Sequence, residues 1–204
     1  GARYSLLFGI GCTALSLAIG CVLGAATAYY GGALDSIVMR FLDTVMCIPS
    51  LLLALTIVAV CGSGLKSLTI AITVASVPGF TRMVRSVVLG VVEEDYIEAA
   101  RSYGTSDMRI ILKYVIPNAL GPIIVTATMN VATMILSASG LSFLGMGVQP
   151  PAPEWGALLS DAETYMFSAP HLLYIPGLFI VIAALSFNLA GDGLRDALDP
   201  KLKD

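Results

Sequence analysis

The residue types that catalyse reactions or bind metals are few in this sequence and widely spaced. Its only histidine is His171, which excludes a metal site built from several histidines. Ser139 and His171 are a nucleophile and a base in principle, but no third group lies near them in sequence to orient the base. The four cysteines lie in or beside apolar runs without a Cys-x-x-Cys spacing, which is typical of packing residues. We therefore expect no catalytic residue, metal site or cofactor in this chain.

A glycine-rich segment at 62–67 has a superficial similarity to a phosphate-binding loop. The segment reads Gly62-Ser63-Gly64-Leu65-Lys66-Ser67 and lacks the adjacent Gly-Lys-Ser/Thr through which such loops hold phosphates. The sequence therefore predicts no ATP site in this chain.

Three polar residues stand at helical spacing inside an otherwise apolar stretch. They are Asn130, Thr126 and Thr133. Polar groups in lipid need hydrogen-bond partners, so these side chains either line a polar path or bond a neighbouring helix. We name them as candidates for a translocation path, although bonding to a neighbouring helix is the commoner role.

Composition identifies the environment of these residues as a lipid bilayer. Apolar residues make up 57% of the 204, charged residues only 12%, and the mean hydropathy is +0.87. Soluble domains carry about 25% charged residues. The net charge of −3 gives no reason to expect a nucleic-acid partner. The chain is thus predicted to be an all-α polytopic bundle forming one transmembrane domain over residues 1–204.

Five apolar stretches approach the ~20 residues that a helix needs to cross a bilayer. The predicted spans are Ser5–Tyr29, Thr44–Cys61, Ser67–Thr81, Pro117–Ser137 and Leu172–Ala190, with a charged lead-in at Ala33–Asp43. The third is short, and Lys66 and Arg82 at its ends are expected to reach the interface. Prolines at 49, 78 and 176 predict kinks, either fixed or hinged.

Small residues recur every four positions in the first predicted span. They are Ser16, Gly20, Gly24 and Ala28. Such a stripe lets two helices approach closely, so we interpret it as a packing face, with a pore-lining role as the alternative. Within the charged lead-in, Arg40 and Asp43 are three residues apart and are expected to form an ion pair.

Lysine and arginine are distributed unevenly between the two sides that these spans define. Nine of the eleven fall on one side, and only Arg3 and Lys66 fall on the other. The nine are Arg40, Arg82, Arg85, Arg101, Arg109, Lys113, Arg195, Lys201 and Lys203. The positive-inside rule makes their side cytoplasmic, which places the N-terminus outside and the C-terminus in the cytoplasm. Trp155, Tyr165 and Tyr174 then lie near the outer boundary, as interface anchors would.

The cytoplasmic connection, about 82–116, is predicted to contain a helix, a turn and a second helix. Acidic residues at 93–95 suit a helix N-terminus, and this helix runs to about Tyr103. Gly104 then suits a left-handed position after the helix. Thr105 or Ser106 is placed to cap a second helix, which leads into the fourth span. On the outer side, a short amphipathic surface helix is predicted around Trp155–Tyr165.

This connection resembles the "EAA" loop of binding-protein-dependent ABC importer permeases. Glu98-Ala99-Ala100, Gly104 and Pro117 fit its spacing, Glu-Ala-Ala-x3-Gly-x12-Pro. Further segments resemble the dipeptide, oligopeptide and nickel branch of that family. These segments are Tyr29-Tyr30-Gly31-Gly32, residues 141–151, Trp155-Gly156 and residues 191–200. Many relatives have an acid where Ala138 stands, so no charged substrate contact is carried over to that position.

The resemblance implies an ABC importer type I permease fold, with a sixth, N-terminal span that relatives carry and this sequence lacks. It implies that 93–116 is the cytoplasmic coupling loop, with Glu98, Ala99, Ala100, Tyr103, Gly104 and Pro117 as its coupling residues. The implied partners are a second permease subunit in a heterodimer, two cytoplasmic ATPases and an extracytoplasmic binding protein, in a bacterial inner membrane. The implied cargo is a dipeptide or oligopeptide, with nickel or another small solute open.

Two other function classes are less compatible with the residues. A secondary transporter or channel for a small solute would need coupling groups in mid-membrane, and no carboxylate falls in the core of a predicted span. A membrane-embedded enzyme would need a convergent acid, base or nucleophile. The sequence therefore favours a permease without enzymatic activity.

The charge asymmetry gives a testable topology. A cysteine introduced at Ser106 should react with membrane-impermeant thiol reagents only from the cytoplasmic side, and one at Pro151 only from outside. Labelling in right-side-out and inverted vesicles measures this. The opposite pattern would overturn the orientation.

Overall fold

The computed structural model describes residues 1–149 and 151–198. All regular structure in this part of the chain is helical. Pro150, the Asp199-Pro200 end of the 191–200 segment, and Lys201 and Lys203 of the charge count lie outside the described residues. The helices are α1 (Ala2–Tyr30), α2 (Gly32–Met46), α3 (Ser50–Cys61), α4 (Leu65–Val92), α5 (Asp95–Ser102), α6 (Asp107–Ile110), α7 (Ile116–Phe143), α8 (Trp155–Ala162) and α9 (His171–Leu198).

Four helical runs are long and apolar enough to cross a membrane. They are α1, α4, the continuous run Asp107–Phe143, and α9; a fifth crossing results if α2 and α3 form one bent span. This agrees with the predicted number of spans. The second predicted span is not one straight helix, however. The chain bends by 85° between α2 and α3, where Pro49 has an extended backbone and cannot donate a helical hydrogen bond.

The helix that contains the third predicted span, Ser67–Thr81, is longer than the span itself. Instead of ending near Thr81, α4 continues to Val92, so Arg82 lies inside the helix and not at its end. Pro78 does not terminate this helix, and Pro176 lies inside α9 in the same way. The sequence suggested an end at Thr81 because the charged residues begin there. In the structure these charges lie along a helix that continues past the apolar stretch.

The small-residue stripe of α1 packs against α4, as the packing interpretation predicted. Ser16, Gly20, Gly24 and Ala28 are all buried. A Cβ atom on Gly20 would lie 2.7 Å from the Cβ of Phe80, and one on Gly24 would lie 2.7 Å from the carbonyl oxygen of Thr81. These distances are too short for any side chain, so glycine at both positions allows the two helices to touch at their backbones.

A third close contact holds α8 against α7. A Cβ atom on Gly156 would lie 2.3 Å from the carbonyl oxygen of Ser139. Trp155 is only 5% exposed and stacks on Phe179 of α9, with ring centroids 6.1 Å apart. The expectation that Trp155 anchors the chain at the lipid interface is therefore wrong, because its ring fills the space between α7, α8 and α9. Tyr165 and Tyr174 are exposed, as an interfacial position requires.

The glycine contact between α1 and α4 generates a stability prediction with an internal control. Gly24→Ala should destabilise the protein by about 1–3 kcal/mol, because the added methyl group meets the α4 backbone. Gly11→Ala, on the same helix, meets nothing within 4 Å in the described structure. It should be neutral or stabilising by up to about 1 kcal/mol. The thermal midpoints of the detergent-solubilised variants measure this. Equal effects at both positions would contradict the close approach.

Candidate functional site

Two features of the bundle are candidates for function: the loop 93–116 at one end, and a cleft beside the α2–α3 bend. We call the end that carries α5 the loop end, and the end that carries α8 the opposite end.

The turn after α5 is a Schellman motif built on Gly104. Gly104 has φ of 72°, its N–H donates to the Arg101 carbonyl at 2.9 Å, and the Thr105 N–H donates to the Ala100 carbonyl at 3.2 Å. This confirms the predicted left-handed glycine. Ser106 occupies the N-cap position of α6, as predicted, but its side chain makes no capping hydrogen bond.

The helix α5 has one buried contact and a broad exposed face. Ile97 is fully buried among residues of α4, α6 and α7, whereas Glu98 and Ala99 are exposed, Tyr103 is 90% exposed, and Ala100 is half-buried. The predicted coupling residues between Glu98 and Gly104 therefore lie on or next to a surface that the chain itself leaves open. Ile97 was not singled out from the sequence, although its burial is what seats the helix.

A single tyrosine of α1 contacts the chain on both sides of the Gly104 turn. The hydroxyl of Tyr29 donates to Asp107 Oδ1 at 2.8 Å, and the guanidinium carbon of Arg101 lies 4.7 Å from the centre of the Tyr29 ring. Tyr29 itself is 8% exposed. We call these two contacts the Tyr29 clamp. No local pattern indicates this clamp, because Tyr29 is more than 70 residues away from both Arg101 and Asp107 in the sequence.

A π-helical turn connects α6 to α7. Residues Ile111–Val115 adopt this wider turn, and the Ile116 N–H donates to the carbonyl of Ile111, five residues back. Pro117 follows at the start of α7 and is exposed. Because proline cannot donate a hydrogen bond and its ring crowds the preceding turn, the backbone before it opens into the wider π-helical turn. Pro117 thus affects the helix between the loop and the bundle and does not lie on the exposed face of α5.

The second feature is a cleft of about 430 Å³ between the α2–α3 bend, α4 near Pro78 and α7 near Asn130. Every residue that lines it in the described structure is uncharged. Hydroxyl and amide groups come from Ser50, Ser76, Asn130 and Thr133, and thioethers from Met46, Met83 and Met134. The Asn130 amide nitrogen donates to the Thr126 carbonyl at 2.8 Å, so its amide oxygen is the acceptor that it can offer a solute.

The structure brings two of the three predicted path residues together and separates the third. Asn130 and Thr133 both line the cleft. Thr126 lies one helical turn nearer the loop end and borders a different cavity, with Met129 and Arg195, between α7 and α9. Its hydroxyl donates to the Pro122 carbonyl within α7 at 2.9 Å.

Two ion pairs hold α2 against α4 beside this cleft. Arg85 binds Asp35 through two nitrogens, Nε to Oδ1 at 2.5 Å and Nη2 to Oδ2 at 2.6 Å. Arg82 pairs with Asp43. The predicted pairing of Arg40 with Asp43 is therefore wrong: the continuation of α4 past Thr81 brings Arg82 to Asp43. Leu42 is the only described residue of α2 that is buried, so these ion pairs are a large part of what fixes this helix.

At the opposite end, a buried carboxylate joins three helices. Glu154 is 2% exposed, and its Oε1 accepts hydrogen bonds from the hydroxyls of Ser5 on α1, at 3.2 Å, and Ser139 on α7, at 3.3 Å. Its Oε2 accepts from the N–H of Ala157 at 3.0 Å, which caps α8. Neither this cap nor the contacts with the two serines was predicted from the sequence, because glutamate is not among the residues that commonly cap a helix N-terminus.

Comparison with known proteins gives consistent matches over almost the whole chain. Residues 17–204 match the family described as binding-protein-dependent transport system inner membrane component. The chain is 47% identical over 203 residues to the glutathione transport system permease proteins GsiD of Escherichia coli O6:K15:H31 and Shigella boydii serotype 4. These matches cover 100% of this chain and 67% of each relative.

Solved structures with a similar fold are also found. A chain of the inward-facing MetNI methionine ABC transporter superposes with a TM-score of 0.79 at 21% identity, covering 98% of this chain and 94% of that chain. A chain of an amino acid ABC transporter with histidines superposes with a TM-score of 0.66 at 16% identity, covering 97% and 96%.

The two ion pairs differ in exposure and should differ in strength. The side chains of Arg85 and Asp35 are 28% and 20% exposed, against 52% and 58% for Arg82 and Asp43. Asp35→Asn should therefore cost about 1–3 kcal/mol, as for a hydrogen bond to a charged group. Asp43→Asn should cost less than about 1 kcal/mol, because water screens an exposed pair. Thermal midpoints of the two variants in detergent test the order, and the reverse order would show that α2 is not held mainly through Asp35.

Proposed function

We propose a mechanism for this chain on the basis of its family. The chain belongs to the family of binding-protein-dependent transport system inner membrane components, and it is a membrane-spanning permease of an ABC importer. Its fold is that of the type I importer permeases. In our proposal the chain forms half of a translocation path and works by alternating access, driven by ATP that partner subunits bind. It breaks no bond in its cargo and holds no cofactor.

The observation that carries the coupling proposal is the exposed face of α5. Glu98, Ala99 and Tyr103 form a surface at the end of the bundle with no partner in the described chain, on a helix seated by buried Ile97. A rigidly seated helix with an open face can dock into another protein and transmit its movement. We propose that a cytoplasmic ATPase docks on residues 93–116, and that Gly104 and Pro117 set the direction of α5 without contacting the ATPase.

We propose a multi-pass inner-membrane placement with the C-terminus and the loop end in the cytoplasm. The support is the asymmetry of lysine and arginine, together with the concentration of Arg82, Arg85, Arg101 and Arg109 at the loop end. The complete importer would contain a second permease subunit, in a heterodimer, two ATPase subunits and an extracytoplasmic binding protein. The alternative of a secondary transporter has no intramembrane carboxylate in the described cleft to support it.

The cleft supports a peptide-like cargo. Its wall combines neutral hydrogen-bonding groups, which suit amide groups, with methionines, whose flexible side chains adapt to different apolar groups. We propose that dipeptides or oligopeptides pass along this wall, with Asn130 and Thr133 contacting them, and that Thr126 lies outside this part of the path. The GsiD relatives are glutathione transport permeases, and glutathione is itself a tripeptide-like solute.

The proposal is tested by changing the Gly104 turn in the reconstituted importer. Gly104→Val should insert in the membrane but lose ATPase association and ATP-dependent peptide uptake, because a β-branched residue at φ of 72° is strained by about 1–3 kcal/mol. Gly121→Val, at a helical glycine with nothing within 4 Å of its Cβ position in the described structure, is the matched control and should keep both. Glu98→Ala should have a smaller effect than Gly104→Val, since an exposed charge contributes less.

The measurements are co-purification with the ATPases and uptake of a labelled dipeptide into vesicles with and without internal ATP. If Gly104→Val associates and transports like the wild type, the loop does not position the docking helix. Wild-type uptake that is independent of ATP would reject the ATP-driven mechanism, and ATP-dependent uptake of nickel without peptide uptake would reject the peptide cargo.

A further inference from the structure

Helix α1 is hydrogen-bonded to a different segment at each of its ends: the loop 93–116 at one end and the start of α8 at the other. At the loop end, Tyr29 donates to Asp107 and carries Arg101 on its ring. At the opposite end, Ser5 donates to Glu154 and its hydroxyl accepts the N–H of Trp155 at 3.2 Å. The two sets of contacts are separated by one uninterrupted helix of 29 residues, and Ser5 and Tyr29 lie about 36 Å apart along it.

We propose that Tyr29 is a positioning residue that fixes the loop 93–116 to α1, and that α1 carries movement between this loop and the α8 segment. The proposal rests on the proposed function in one respect, namely that an ATPase docks on α5. It adds a route by which events at the opposite end, where we place the binding protein, affect the ATPase. That route runs from the Tyr29 clamp along helix α1 to the hydrogen bonds that Ser5 makes with Glu154 and Trp155.

The clamp is suited to this role because it contacts the loop on both sides of its turn. Arg101 belongs to the last turn of α5 and Asp107 to the first turn of α6. A displacement of α6 must therefore move Tyr29 or break its charge-assisted hydrogen bond with Asp107, and a displacement of α5 must move Tyr29 or break the cation–π contact with Arg101. Tyr29 is buried beside Ala25 and Ala28 of its own helix and Val84 and Val88 of α4, so its ring cannot swing away freely.

Helix α1 is suited to carry movement because it resists bending and because the hydrogen-bonding groups at its N-terminal end are buried. The segment Ala2–Tyr30 contains no proline and is a single α-helix. At the opposite end, Ser5 is 2% exposed and Glu154 is 2% exposed, so water does not readily replace their hydrogen bond. Glu154 also caps α8, and a shift of α1 is therefore transmitted to the start of that helix.

The test uses the complete importer reconstituted in liposomes with its ATPases and its liganded binding protein. Tyr29→Phe keeps the ring and its contact with Arg101 and removes only the hydroxyl. It should reduce the stimulation of ATP hydrolysis by the binding protein by about tenfold or more, the loss expected for a hydrogen bond to a charged acceptor. Tyr30→Phe is the matched control, because Tyr30 is 54% exposed and its hydroxyl has no partner in the described structure. It should leave the stimulation unchanged.

A double-variant experiment separates a shared route from two independent defects. Ser5→Ala removes the hydroxyl that bonds Glu154 and the N–H of Trp155, and it should also reduce the stimulation. If Tyr29 and Ser5 act through the same route, the double variant Tyr29→Phe with Ser5→Ala should reduce the stimulation no more than the more severe single variant does. Independent defects at such distant sites would multiply. Asp107→Asn keeps an oxygen acceptor for Tyr29 and should retain most of the stimulation, whereas Asp107→Ala should match Tyr29→Phe.

Hydrogen–deuterium exchange tests the position of the loop independently of ATP hydrolysis. In the intact complex, the amides of residues 95–107 should exchange with deuterium faster in Tyr29→Phe than in Tyr30→Phe. Equal exchange and equal stimulation in these two variants would overturn the inference while leaving ATPase docking intact. Multiplied effects in the double variant would also overturn it. A wild-type permease that does not associate with its ATPases would instead remove the proposed function, and the inference with it.

Discussion

The backbones of α1 and α4 touch at Gly20 and Gly24, where the space for any side chain is taken by Phe80, Thr81 and Val84. This contact determines the placement of the groups that matter for function. The Cβ position of Gly24 lies 2.9 Å from the N atom of Arg85, so the same contact fixes where Arg85 leaves α4 to meet Asp35 on α2. Farther along α1 it fixes where Tyr29 reaches the loop. A wider separation of the two helices would displace both.

Features determined by short stretches of sequence were predictable, and features determined by distant contacts were not. The Gly104 turn follows from a glycine directly after an amphipathic helix, and the small-residue stripe follows from a four-residue repeat. The burial of Trp155 and Ile97 depends on which helices surround them. A tryptophan near the end of a predicted span has the same local pattern whether it faces lipid or, as here, stacks on Phe179.

The candidate site shows the same division. The exposed face of α5 was identified from its sequence motif, and the structure adds what seats that helix, namely Ile97 and the Tyr29 clamp. For the path, helical spacing grouped Asn130, Thr126 and Thr133, but spacing along one helix gives no information about neighbouring helices. The α2–α3 bend lies beside Asn130 and Thr133, while the end of α9 lies beside Thr126. The pairing of Asp43 with Arg82 could not be predicted for a similar reason, because it depends on α4 continuing past Thr81.

The contacts around the cleft divide into two mechanical classes. Close backbone contacts and apolar side-chain packing hold α4 and α7. Replacing these contacts by contacts with water costs a large amount of free energy. α2 has one buried residue, Leu42, and is tied to α4 mainly by the two ion pairs. Ion pairs can exchange a partner for water, at little net cost for the exposed Arg82–Asp43 pair and at a larger cost, about 1–3 kcal/mol, for the part-buried Arg85–Asp35 pair. The bend beside Pro49 also lacks one helical hydrogen bond. An element that borders the cleft is thus held by exchangeable contacts, whereas the walls opposite it are held by packing. Any rearrangement that opens or closes the cleft therefore requires less free energy through α2 than through α4 or α7.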